Sequence, residues 1–131
     1  MADLESIRLS EEFFARQPET LPAVRAFLAG ILERWPDAEI LVQKSQVTLR
    51  CPRPFCALSS HVRFPRQQVP DPHYVTLSLY LSRPLAEQRG GTSVEPYPGR
   101  FTNHLPLFSP ADLDEEMWSW VEEALVFRNR K

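Results

Sequence analysis

The 131-residue sequence is short of glycine, with four, and of cysteine, with two. It also lacks any apolar run near the roughly 20 residues that a membrane-spanning helix requires. Each shortage excludes a class of protein. Without a glycine-rich segment between a strand and a helix there is no phosphate loop of the nucleotide-binding type; the only Gly-Gly pair, Gly90-Gly91, falls in a loop-like stretch. Two cysteines cannot form the disulfide framework of a small secreted scaffold. The opening MADLESIRLS mixes Asp3, Glu5 and Arg8 with its apolar residues, unlike a secretory or transit peptide. These features predict a cytoplasmic chain in which Cys51 and Cys56 are free, buried thiols. Neither a zincin helix nor a Gly-x-Ser-x-Gly elbow is found.

The sequence does contain 43% apolar residues, 24% charged residues and thirteen prolines. That composition excludes a disordered tail, and the length suits one domain with a single core. The net charge of −2 hides an asymmetry: residues 1–43 carry −4, residues 44–100 carry +5 and residues 101–131 carry −3. The basic part reads as strands, the acidic parts mainly as helices.

Ser10 followed by Glu11-Glu12 reads as a helix start, with Phe13 and Phe14 anchoring a short helix before Pro18. From about Thr20 to Arg34, Leu21, Val24, Phe27, Leu28, Ile31 and Leu32 recur at helical spacing, and Pro22 falls in the first turn, where its missing N–H costs nothing. The period then becomes two. Glu39–Val42 is a short apolar run, Ser45–Cys51 alternates, and Phe55–Val62 can return as a hairpin partner after Pro52-Arg53-Pro54. Tyr74–Ser82 is the clearest strand, with Val75, Leu77, Leu79 and Leu81 on one face and prolines at both ends. Residues 83–99 read as a long loop, Arg100–Phe108 as a last strand, and Pro110–Phe127 as a final helix capped by Ser109. Trp118 falls off this helix's main apolar stripe and is a candidate contact. The expected architecture is therefore a single α+β domain spanning 1–131, with an ordered core over about 10–128. Its antiparallel sheet of about five strands is backed by amphipathic N-terminal and C-terminal helices.

Candidate chemistry lies on the polar face of that sheet. Gln46, Thr48 and Arg50 share it with Thr76, Ser78 and Tyr80, while Arg100, Thr102 and His104 lie along one face of the last strand. The expected ligand-binding set is Lys44, Gln46, Arg50, Tyr80, Arg100 and His104, which suits a small anion or a protein partner. No cofactor is implied. A metal site from Cys51, Cys56 and His61, with His73 or His104 as fourth ligand, matches no common zinc spacing, so no metal is expected. Because no nucleophile–base–orienter set is evident, a non-enzymatic binding or accessory module is the favoured reading. The alternative is a small enzyme with His104 as base and Lys44 or Arg100 holding an anionic substrate. A second alternative is nucleic-acid binding through Arg50, Arg53, Arg63, Arg66 and Arg100, with Tyr74 or Tyr80 stacking on a base; the acidic balance and the lack of a basic recognition helix predict weak, salt-sensitive binding. A homodimer through a sheet edge or Trp118 is the candidate assembly, and no membrane partner is expected.

QKSQVTLRCPRPFCALS (Gln43–Ser59) and EPYPGRFTNHLPLFSPADLDEEMWSWVEEA (Glu95–Ala124) together resemble the bacterial family called domain of unknown function 5655. Lys44, Gln46, Phe55, Arg100, His104, Ser109 and Asp114 fall on positions of the family-like pattern. The resemblance implies a small α+β fold with an antiparallel sheet backed by helices. Where the pattern has a pair of histidines, this chain has Asn103 before His104, which weakens a reading of that pair as metal ligands.

Overall fold

A computed structural model of the chain describes residues 4–60, 64, 72–85 and 88–130. His61, Arg63, Arg66 and Lys131 lie outside the described residues. Among those described, three α-helices, α1 (Leu4–Phe13), α2 (Leu21–Arg34) and α3 (Glu115–Arg128), accompany six strands. The strands are β1 (Glu39–Val42), β2 (Val47–Arg50), β3 (Pro54–Ser59), β4 (Val75–Leu81), β5 (Thr92–Tyr97) and β6 (Arg100–Leu107). They form one antiparallel sheet in the order β1-β2-β3-β4-β6-β5. The fold is α+β, with one more strand than expected.

The additional strand is β5, which occupies the second half of the segment read as a loop. Pro96 and the glycines around it argued against a strand. Pro96 is accommodated because β5 is an edge strand and its register with β6 shifts between Val94 and Tyr97. The hairpin closes through Pro98-Gly99, and Gly99 takes φ +75°, the left-handed conformation needed at the third position of a type II turn.

Two helix starts also differ from expectation. Ser10 lies inside α1, not at its N-cap, and its hydroxyl donates back to the Ser6 carbonyl at 2.8 Å. The final helix is split. Asp112 accepts hydrogen bonds from the Phe108 and Ser109 N–H groups and completes a short 3-10 turn, Pro110–Asp112. The chain leaves helical geometry at Leu113, and Asp114 caps α3 by accepting from the Met117 N–H at 2.9 Å. Two capping aspartates in succession give two helical segments.

Register places Ile40, Leu49, Cys56, Leu58, Val75, Leu77, Leu79, Leu105 and Leu107 on one face, and all are buried. Phe27, Leu28 and Ile31 of α2 and Met117, Trp120 and Val121 of α3 belong to the same core. Full burial of a Leu, Ile or Phe side chain contributes about 1.5–3 kcal/mol. Phe55 is passed over in the β2–β3 register, where Leu49 pairs with Cys56 but Arg50 with Pro54. This bulge accompanies its complete burial edge-on to Trp35, with ring centroids 5.8 Å apart.

The opposite face was expected to be open to solvent. Its centre is closed instead: Thr48, Ala57, Ser59, Thr76 and Ser78 are all buried. They lie between Tyr80 and an edge-to-face group of Phe64, Tyr74 and Phe108. No described helix is long and apolar enough to cross a membrane.

Candidate anion-binding site

The six residues selected from the sequence do not meet in one place. Arg50 donates to the Glu39 carboxylate at 2.9 Å, so its charge is neutralised, and the same bond is the main reason Glu39 is held below its ordinary pKa. Lys44 is exposed between β1 and β2. Gln46 donates to the Thr48 hydroxyl at 2.9 Å. His104 sits in a cross-sheet row with Thr48, Ala57 and Ser78, its Nδ1 2.8 Å from the Ser78 hydroxyl, and lines none of the three clefts described below. Tyr80 and Arg100 share a cleft.

That cleft forms where three distant segments end. The turn between β2 and β3 closes through a Cys51 N–H to Arg53 carbonyl bond of 3.1 Å. The C-terminus of α3 is tied to it: Arg128 Nε donates to the Pro54 carbonyl at 3.0 Å, and the Asn129 amide donates to the Cys51 carbonyl at 3.0 Å. The β5–β6 turn brings Arg100 beside them. The result is a cleft of about 310 Å3 lined by Arg53, Arg100, Arg128 and Arg130, with Pro98, Gly99 and Phe127.

None of these four arginines has a carboxylate partner among the described residues, whereas Arg8, Arg25, Arg50, Arg83 and Arg89 all do. Glu95, on the neighbouring strand, turns its carboxylate to the Gly99 N–H at 2.9 Å. Arginines at a helix C-terminus ordinarily offset the macrodipole, but that end amounts to about half a negative charge. Four guanidinium groups far exceed it, which leaves an electropositive cleft that attracts anions. Guanidinium is also the side chain best shaped to grip phosphate or carboxylate with paired N–H bonds.

A second cleft of about 220 Å3 adjoins the first and shares Arg100, Phe127 and Arg128 with it. Tyr80, Leu81, Pro96, Tyr97, Phe101 and Thr102 complete it. The Arg128 guanidinium lies 5.9 Å from the centre of the Tyr80 ring. Burial above all, with nearby Cys56, pushes the Tyr80 phenol's pKa up, so it stays protonated at neutral pH.

A larger cleft, about 420 Å3, lies elsewhere, between Arg34, Trp35, Glu115, Trp118 and Glu122. Its arginine is engaged, lying 3.9 Å over the Trp118 ring and donating to the Gly30 carbonyl. Trp118 is half-buried and stacks on Phe27, the planes 4° apart and the centroids at 5.6 Å. Cys56 is fully buried, and burial raises its pKa well above the ordinary thiol value. Cys51 is shifted the same way, by burial and then by Asp37. Tyr74 packs edge-to-face with both Phe64 and Phe108.

Arg128, Arg130, Tyr97 and Phe127 were missed by reading strands alone. The sequence signal was the basic run Arg128-Asn129-Arg130-Lys131, which closes an otherwise acidic segment. Compared with family models, with curated proteins and with solved structures, the chain finds no match in any of the three.

Proposed function

We propose that this chain is a non-enzymatic binding or accessory module that holds an anionic ligand in the cleft of Arg53, Arg100, Arg128 and Arg130. The observation behind this reading is that these four guanidinium groups line one cleft without a carboxylate partner among the described residues. Like charges so gathered repel each other, and a bound anion relieves that repulsion. A cytoplasmic location is part of this reading, and the two free thiols support it.

Titration with inorganic pyrophosphate, followed by amide chemical shifts, tests the reading. Shifts centred on residues 97–100 and 128–130, weakened by salt and lost in Arg100→Glu with the melting temperature preserved, are the expected result. Absence of binding at low salt, or binding indifferent to Arg100→Glu, overturns it.

A further inference from the structure

The arginine cleft and the aromatic cleft are one continuous surface, because Arg100, Phe127 and Arg128 form walls of both. One side supplies positive charge; the other supplies the rings of Tyr80, Tyr97 and Phe101. Tyr97 stands two-thirds exposed at the rim, its ring accessible to a planar ligand. Inside, the Tyr80 and Thr102 side chains supply hydroxyls able to meet a ring edge. A simple inorganic anion would use only the first half of this surface.

We propose that the joined clefts bind a nucleoside 5′-phosphate, with the phosphate on Arg53, Arg100, Arg128 and Arg130 and the base against Tyr97 in the aromatic cleft. The proposal rests on the anion reading above and adds the identity of what the anion is attached to. Aromatic side chains beside a positive groove are the means by which proteins hold unpaired nucleotides, since every base has a face on which to stack. A planar base uses the rings together with the hydroxyls at its edge. Recognition by stacking predicts tolerance of the base. The acidic segments that flank the strand region disfavour a long duplex, so the ligand is a free nucleotide or the 5′-phosphorylated end of a single strand.

The test compares adenosine 5′-monophosphate with ribose 5-phosphate, which keeps the phosphate and lacks the base, by calorimetry or chemical-shift titration of the full chain. Adenosine and uridine 5′-monophosphates should each bind at least about tenfold tighter than ribose 5-phosphate. Tyr97→Ala, at an exposed position, should abolish that difference. Arg100→Gln should weaken all three ligands. A 5′-phosphorylated tetranucleotide separates the sources: binding equal to the mononucleotide indicates a strand end, much weaker binding a free nucleotide, and either supports the proposal. Equal affinity for adenosine monophosphate and ribose 5-phosphate overturns the base-binding proposal and leaves the anion reading standing. A base preference that survives Tyr97→Ala also overturns it, as does binding of phosphotyrosine without binding of nucleotide. Failure of pyrophosphate, ribose 5-phosphate and nucleotides alike overturns both.

Discussion

The Asn103 side-chain oxygen accepts a hydrogen bond from the Leu85 N–H at 2.7 Å, and both residues are buried. The same oxygen accepts from the Ser93 hydroxyl, and the Asn103 amide donates to the Arg83 carbonyl at 3.1 Å. Register places Asn103 beside Leu79, on the apolar face of the sheet, where a polar side chain persists only if its groups are satisfied. The sequence shows Asn103 only as a departure from a histidine pair. In the structure it fastens the chain leaving β4 to the β5–β6 hairpin, the hairpin that carries Tyr97 and Arg100.

Replacing it therefore has a definite cost. Asn103→Leu leaves the Leu85 N–H and the Arg83 carbonyl without partners, at roughly 1–3 kcal/mol for each group that stays buried. We expect a loss of about 3 kcal/mol in urea unfolding, with an unchanged slope and a weaker anion site. Wild-type stability in this variant would show that the Asn103 clamp contributes nothing.

Gly30 is held by a different constraint. A Cβ there would stand 2.3 and 2.6 Å from two ring carbons of Trp118, so the glycine makes room for the Trp118–Phe27 stack. Gly30→Ala improves helix propensity by about 1 kcal/mol, but displacing a packed ring costs about 1–3 kcal/mol. The expected sum is a modest destabilisation with altered tryptophan fluorescence. In a Trp118→Ala background the clash vanishes and the same change should stabilise. An unchanged sign in the two backgrounds, measured by thermal melting, would refute the packing argument.

Much of the architecture is legible because it is written locally. The helix expected from about Thr20 to Arg34 is α2, Leu21–Arg34, and the strand expected over Tyr74–Ser82 is β4, Val75–Leu81. In both, a periodic apolar pattern ends at clear stops, and the core face enforces the period. β5 was hidden because Pro96, Pro98 and Gly99 signal a loop unless the strand is known to lie at an edge, which is a tertiary fact. The site divides in the same way. Tyr80 and Arg100 stand on strands whose alternation is visible, whereas Arg53, Arg128 and Arg130 come from ends of elements that only the folded register brings together. Arg50 has the right chemistry, but its partner Glu39 lies across a strand pair and takes its charge.

The contact between Arg89 and Asp114 gives the last prediction, a dependence on pH. Arg89 takes φ 57°, a left-handed backbone that disfavours a side chain, yet its Nη2 lies 2.8 Å from both Asp114 carboxylate oxygens and from Glu116, while Nη1 donates to the Asp112 carbonyl. Burial alone would lower the arginine's pKa, but these bonds outweigh it and raise it. Asp114 is shifted down from its ordinary 3.8, chiefly by the Met117 N–H and next by Arg89. A carboxylate whose folded pKa is depressed binds fewer protons in the folded than in the unfolded chain around that pH. Its contribution is present above about 3.8 and is lost as pH falls through the lower folded value. Glu39, lowered from 4.5 by Arg50, acts in the same direction. The melting temperature should accordingly hold near neutrality and drop once pH passes below this range. Asp114→Asn, which keeps an oxygen for the helix cap but removes the charge, should melt lower at pH 7 and show a shallower acid slope. The slope should not flatten completely, because Glu39 still titrates. Parallel acid-melting curves for wild type and Asp114→Asn would show that this carboxylate does not couple folding to protons.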